Sequence, residues 1–276
     1  MTNVITRSLG VVSLTWRHPS NRAHRARAVA RAVSFQVRGR VRGTRAVAPV
    51  GDHSRIWADV NSYISARTMY GNPLDWNEMQ AWKRALSGGS LFVDVGANVG
   101  LYSIWAIDHG AEVVAVEPSA ETLTKLRENL ALNGYKAEIF EGALGDAPGT
   151  MVLTTDLDQQ NHLVVGDDAV AHGETVTVTT LDTVVGDRVV DGLKIDVEGA
   201  ELLVLQGAER ALSEQRIKLL QLEWNDASVH LLGQDREPVR ELLARHGYSL
   251  FRPDADGVLV PVDQPSFGAD VFARPS

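Results

Sequence analysis

The sequence predicts an α/β chain built on a doubly wound, mostly parallel sheet, and three observations predict it. Short apolar runs bounded by glycine alternate with amphipathic stretches from residue 91 onward. Two of these runs end in an acidic residue followed by a glycine turn that opens a helix, and the last two flank a short turn. Alternating strand and helix signals give a parallel sheet with crossovers, and the final pair adds an antiparallel hairpin at its end.

Residues 1–50 hold ten arginines and no Asp or Glu, so they carry about +10 and the rest about −18 within a net charge of −8. The segment reads as a loosely ordered extension folding back on the acidic body. Its functional reading is an arm for nucleic acid, acidic lipid or an acidic partner. Arginine clusters without interleaved aromatics are weak nucleic-acid signals, so nucleic acid is not the expected partner. Residues 51–90 form a leading helical segment covering the site. Trp76, Met79, Trp82 and Leu86 recur at spacings of three and four, which predicts an amphipathic helix packing its aromatic face on the sheet. Tyr70 and Glu78, just before the first strand, are candidates to face a substrate.

The main domain spans residues 91–276. A strand over 91–95 leads to a helix from about Leu101. A strand over 112–117 leads to a helix carrying Leu123, Leu126 and Leu130, with Ser119 as N-cap and Gly134 as terminator. A strand over 137–141 precedes a small β insertion, in which 150–155 and 175–180 are β-branched enough to be strands. The alternation then resumes: strand 192–197, helix 200–212, strand 217–223, helix 235–246. Runs 248–252 and 258–262 around Asp254–Gly257 complete the hairpin.

With 276 residues, 44% of them hydrophobic, the chain can bury a sizeable core. It has no cysteine, which excludes disulfides and thiolate metal sites. No segment approaches the roughly 18 apolar residues of a membrane span. Leu9–Leu14 is too short for a secretory signal, so the cytoplasm is the expected compartment. A homo-oligomer is compatible with all of this.

Ligands of such sheets sit at the carboxyl ends of the strands, where Gly96, Glu117, Asp196 and Glu223 all fall. In LFVDVGANVGLYS, the strand runs into Asp94, Gly96, Asn98 and Gly100, exposing backbone amides where a side chain would block a ligand. The G-x-G-x-x-G register of a dinucleotide site is absent, and so is the G-x-x-x-x-G-K-[ST] phosphate loop. Glu117, ending the next strand, can accept hydrogen bonds from both hydroxyls of a ribose. A carboxylate-rich rim suits a cationic sulfonium better than a polyphosphate. The site therefore reads as one for S-adenosylmethionine. The second concentrated signal is LKIDVEGAELLVLQGA, where Asp196 and Glu198 end a strand and Glu201 opens a helix as a charge favourable to its N-terminus. Asp196, at the mouth of the sheet, can face the cofactor amine or the acceptor.

Taken with VEP, EGALGD and the TTLD run at Thr179–Asp182, these two motifs in this order resemble the FkbM family of S-adenosylmethionine-dependent methyltransferases. The resemblance covers about Tyr70–Val262. It implies a class I methyltransferase (Rossmann-like) fold, usually acting on oxygen of a natural product, glycan or related small molecule. It also implies that Asp94, Gly96, Asn98 and Gly100 border the cofactor, that Glu117 holds its ribose, and that Ala143 and Leu144 lie near its adenine. Two other readings are an RNA methyltransferase using the basic arm and a non-catalytic scaffold with a methyltransferase-like fold.

A hydroxyl acceptor must lose a proton. His162, beside Asn161 in a polar stretch of the insertion, is a candidate base because its ordinary pKa is near neutrality, with His172 and His230 as rivals. Asn161, Glu198 and His230 are further acceptor-side candidates. Asp196 and the Glu223, Asn225 and Asp226 group on the next strand form a second candidate device, a magnesium site that would lower the hydroxyl pKa. Hydrogen bonding by these oxygens without metal is the plainer expectation.

Overall fold

The structure, a computed structural model, describes residues 2–154, 163–164, 173–226 and 235–276. The N-terminal segment is folded, which corrects the expectation of a loosely ordered extension. It forms helices α1 (Thr2–Arg17) and α2 (Arg25–Arg42), followed by strand β1 (Ala46–Val50). Ala28, Ala32, Phe35 and Gly39 recur at spacings of three and four and form the buried face of α2. Gly43, in the left-handed region at φ 62°, ends it. β1 pairs antiparallel with β2 (Ser54–Ala58), so the segment expected to be helical opens with a hairpin. Helices α3 (Tyr63–Arg67) and α4 (Trp76–Ala85) complete it. Met79 and Trp82 of α4 are buried, as the spacing predicts.

The central sheet begins with β3 (Leu91–Val95), α5 (Leu101–Asp108), β4 (Glu112–Glu117), α6 (Ala120–Asn133) and β5 (Glu138–Glu141). Ser119 accepts the amide of Thr122 and caps α6, and Gly134 in the left-handed region terminates it. After an insertion come α7 (Leu181–Val185), β10 (Gly192–Ile195), α8 (Glu201–Gln206), α9 (Glu209–Ser213), β11 (Leu220–Leu222) and α10 (Glu237–Arg245). Strands β12 (Tyr248–Pro253), β13 (Leu259–Pro261) and β14 (Val271–Pro275) end the chain. The order across the sheet is β13-β12-β14-β11-β10-β3-β4-β5. β3, β4, β5, β10 and β11 are mutually parallel. The β12–β13 hairpin forms as expected, but β14, which the sequence reading did not mark, inserts antiparallel between β11 and β12.

The insertion is a separate four-stranded sheet, in which β6 (Ala143–Leu144) and β7 (Gly149–Thr154) flank β9 (Gly173–Thr179), and β8 (Leu163–Val164) pairs with β7. The expected helix 200–212 is two helices. At Gly207 an added Cβ would stand 2.1 Å from the carbonyl oxygen of Gly145, so only glycine permits this approach of helix to loop.

Apolar residues cover both sheet faces. One core contains Phe92, Trp82, Ile104, Leu126 and Phe272; the other contains Val93, Val95, Leu193, Ile195, Leu205 and Leu220. The strands are apolar nearly throughout because helices bury them on both sides. The exception is one row. Asp94, Lys194 and Gln221 are register partners on the adjacent strands β3, β10 and β11, so three polar side chains lie side by side across the sheet centre.

Candidate active site

A cavity of about 800 Å³ opens at the carboxyl ends of β3, β10 and β11, within the range of small-molecule sites. The first wall is the loop from β3 to α5. Gly96 (φ 78°) and Asn98 (φ 51°) bend it sharply. A Cβ on Gly96 would lie 1.9 Å from the Asp196 carbonyl oxygen, so the glycine lets the two strand ends meet. Asp94 is only 1% exposed; its Oδ2 accepts from Ser103 at 2.7 Å, while its Oδ1 has no hydrogen-bond partner. A buried carboxylate oxygen without a donor, in a cavity wall, awaits one from a ligand. That is the fit expected of an amine-bearing, cationic cofactor.

Glu117 stands behind this wall. Its Oε2 accepts the amide of Asn98 and its Oε1 that of Ser119, both at 2.9 Å, which fixes the end of β4 to the glycine loop. Burial pushes its carboxyl up to about 7 against those two hydrogen bonds.

The second wall is the turn after β10. Lys194 is 4% exposed and places its ammonium 2.8 Å from Asp196 and over the Tyr102 ring at 4.7 Å. Burial opposes that charge, but Asp196 and Asp94 outweigh it and raise the ammonium above its ordinary value. Glu198 follows in the left-handed region at φ 50°, a conformation that costs a non-glycine residue about 1 kcal/mol or more and turns its carboxylate back. As a result one oxygen each from Asp196, Glu198 and Glu223 lie within 4.8 Å of one another. Burial first and Asp196 second push Glu198 up to about 7 and Glu223 up to about 9. The turn is clamped from behind. Glu201, fully buried, accepts the amides of Gly199 and Val197 and pairs with Arg236, which also donates to Asn225 at 3.0 Å and 3.1 Å. Glu201 is therefore more than a charge at a helix terminus.

The third wall comes from α4, α5 and the loop before β14. Tyr102 donates to Asp75 at 3.0 Å, and Gln221 donates to Tyr102 at 3.2 Å and to Asp270 at 2.5 Å. Burial and Asp196 push Asp270 up to about 7, and burial raises Asp75 and Glu78.

Of the residues singled out in the sequence, Glu78, Asp94, Gly96, Asn98, Asp196, Glu198, Glu223 and Asn225 line this cavity. Gly100 caps α5 beyond the wall, and Ala143 and Leu144 are buried in β6, paired with β9. Tyr70 is corrected as a substrate-facing residue: it is buried among the N-terminal helices, where its hydroxyl meets Gln36 and its carbonyl accepts from Asn21. The expected Asp196, Glu223 and Asp226 metal set is corrected as well. Asp226 is exposed outside the cavity wall and Glu198 takes its place, while the Lys194 ammonium already engages Asp196. With that ammonium already on Asp196, the group offers a divalent cation a poorer set of ligands than the sequence implies. Asn161, His162, His172 and His230 lie outside the described residues. Lys194, Asp75, Tyr102 and Asp270 were not foreseen. Lys194 had a legible signal, a cation inside an otherwise apolar strand.

These carboxylates make stability depend on pH with a definite sign. The folded pKa values of Glu117 and Asp270 lie above the ordinary carboxylate range, so the fold binds their protons more tightly than the unfolded chain does. That stability is complete below the unfolded values and lost as pH rises through about 7. The urea midpoint is expected to fall between pH 5 and pH 8; a rising midpoint would contradict these assignments.

A mostly parallel sheet of this order, with its cavity at a glycine turn after β3 and acidic residues at the ends of β4 and β10, is the architecture of a class I S-adenosylmethionine-dependent methyltransferase. Residues 94–250 match the Methyltransferase FkbM domain, and the chain belongs to that family. Methyltransferase sdnD of Sordaria araneosa is 27% identical over 210 residues, covering 62% of this chain and 78% of that protein. The AMB antimetabolite synthetase AmbE of Pseudomonas aeruginosa is 26% identical over 209 residues, 60% of this chain but 10% of the synthetase. Among solved structures, magnesium protoporphyrin IX methyltransferase from Synechocystis PCC 6803, with bound SAM, is 15% identical at a TM-score of 0.44, covering 78% of this chain and 85% of that one.

Proposed function

We propose that the protein transfers the methyl group of S-adenosylmethionine to a hydroxyl oxygen of a small molecule. The observation that carries this reading is the meeting, on one cavity, of the partnerless Asp94 oxygen with the Asp196, Glu198 and Glu223 carboxylates. The relatedness to an antimetabolite synthetase supports a small-molecule acceptor.

When bound, the cofactor supplies an electrophilic methyl on a cationic sulfur. Asp94, through its partnerless oxygen, orients it, Glu117 fixes the glycine loop by accepting the Asn98 amide, and the carboxylates favour its positive charge. Lys194 donates to Asp196 at 2.8 Å and holds its carboxylate in place. Glu198, with a pKa of about 7, takes the proton that the hydroxyl loses on attack. Glu223, higher at about 9, holds a proton at neutral pH and so adds no second full charge beside Asp196. Alignment in a partly desolvated cavity provides the remainder.

The test is product analysis after incubation with methyl-labelled cofactor and a panel of hydroxylated and aminated small molecules. Label is expected in methyl ethers; label confined to N-methyl products or RNA would overturn the reading.

A further inference from the structure

Helix α2 has two apolar faces, and only one is used. Ala28, Ala32, Phe35 and Gly39 are buried against the body. At 100° per residue, Ala26, Ala30, Val33, Val37 and Val41 fall on the opposite side as one stripe about 22 Å long. All five are exposed, the valines by 42%, 56% and 77% in chain order. Of the six arginines of α2, Arg40 on one side and Arg27 and Arg38 on the other flank the stripe, while Arg25, Arg31 and Arg42 stand nearer the buried face. Among the described residues none of the six forms an ion pair with a carboxylate; Arg38 and Arg40 turn back to the carbonyls of Ser34 and Gln36. Beside the start of α2, Trp16 is 46% exposed with the Arg25 guanidinium 5.6 Å above its ring.

We propose that this outward face of α2 docks on an anionic lipid surface. An apolar stripe flanked by unneutralised arginines meets the two demands of a bilayer interface, shallow burial of aliphatic side chains and contact of cations with acidic headgroups. Exposed Trp16 adds the amphipathic ring that such interfaces accommodate. Charge decides against the rival occupants. In a symmetric pairing of two copies through α2, the flanking arginines would face arginines. A nucleic acid would engage the arginines but leave the valine stripe in water. No described helix is long and apolar enough to cross a membrane, so the helix lies on the surface. The inference is independent of the acceptor and of the methyl-transfer chemistry.

The experiment is co-sedimentation of the full chain with phosphatidylcholine vesicles, with and without phosphatidylserine, at low and raised salt. Binding is expected only with phosphatidylserine and is expected to weaken with salt. A Val37→Asp/Val41→Asp variant should bind those vesicles about tenfold more weakly, since a charge in the stripe opposes its burial, while its melting temperature stays unchanged because both sites are exposed. Failure to sediment with acidic vesicles would overturn the proposal. So would undiminished binding by the valine variant, which would leave only charge attraction. A concentration-dependent dimer dispersed by the same substitutions, without vesicle binding, would assign the stripe to a second copy instead.

Discussion

Replacing Lys194 with methionine is expected to lower the unfolding free energy by about 3–5 kcal/mol, the usual loss when one partner of a buried ion pair is removed. The ammonium is 4% exposed and stands between Asp196, which it touches at 2.8 Å, and Asp94, its register partner on β3. Methionine fills a similar volume, so packing survives while the carboxylates lose the cation that offsets their burial. Asp94, itself 1% exposed, would then take up a proton, and affinity for a cationic ligand would fall with it. Urea denaturation at neutral pH measures the effect, and adding Asp94→Asn to the variant should restore part of the loss. A change below about 1 kcal/mol would mean that water, not Lys194, compensates these charges.

Glu198→Gln is expected to reduce kcat by about 10²–10⁴-fold, the span of a positioned general base, while S-adenosylhomocysteine affinity stays within about twofold. Glu198 sits in the turn after β10 and lines the cavity, and its amide replacement keeps size and hydrogen-bonding capacity but cannot take a proton. The wild-type rate should rise with pH through about 7 and the variant should lose that limb. Equal rates and superimposable pH profiles would remove Glu198 from the proton transfer and return attention to His162.

The parts of this protein legible in the sequence are those fixed by local chemistry. The glycine loop after β3, the Ser119 cap and Gly134 stop of α6, and the acidic turn after β10 are each written within a few residues. Long-range placement was not legible. β14 is a short apolar run whose only distinguishing property is its antiparallel register between β11 and β12. In α2 the density of arginine obscured the spacing of Ala28, Ala32, Phe35 and Gly39 that buries it. The row of Asp94, Lys194 and Gln221 exists only once three strands separated by many residues are in register. The break at Gly207 depends on Gly145, a residue of another loop. Asp196 and Glu223 come together because their strands are neighbours, which the alternation of elements implies, but the left-handed turn that brings Glu198 there rather than Asp226 is a backbone feature no spacing announces.

The most direct measurement is calorimetric titration of the purified protein and its Glu117→Ala variant with S-adenosylhomocysteine. One site of micromolar affinity is expected in the wild type. In the variant, whose glycine loop loses the carboxylate that holds the Asn98 amide, binding should weaken by at least about 1.5 kcal/mol. Absence of binding by folded wild-type protein would contradict the assignment of the cavity to the cofactor, and equal affinity in the variant would remove Glu117 from the site.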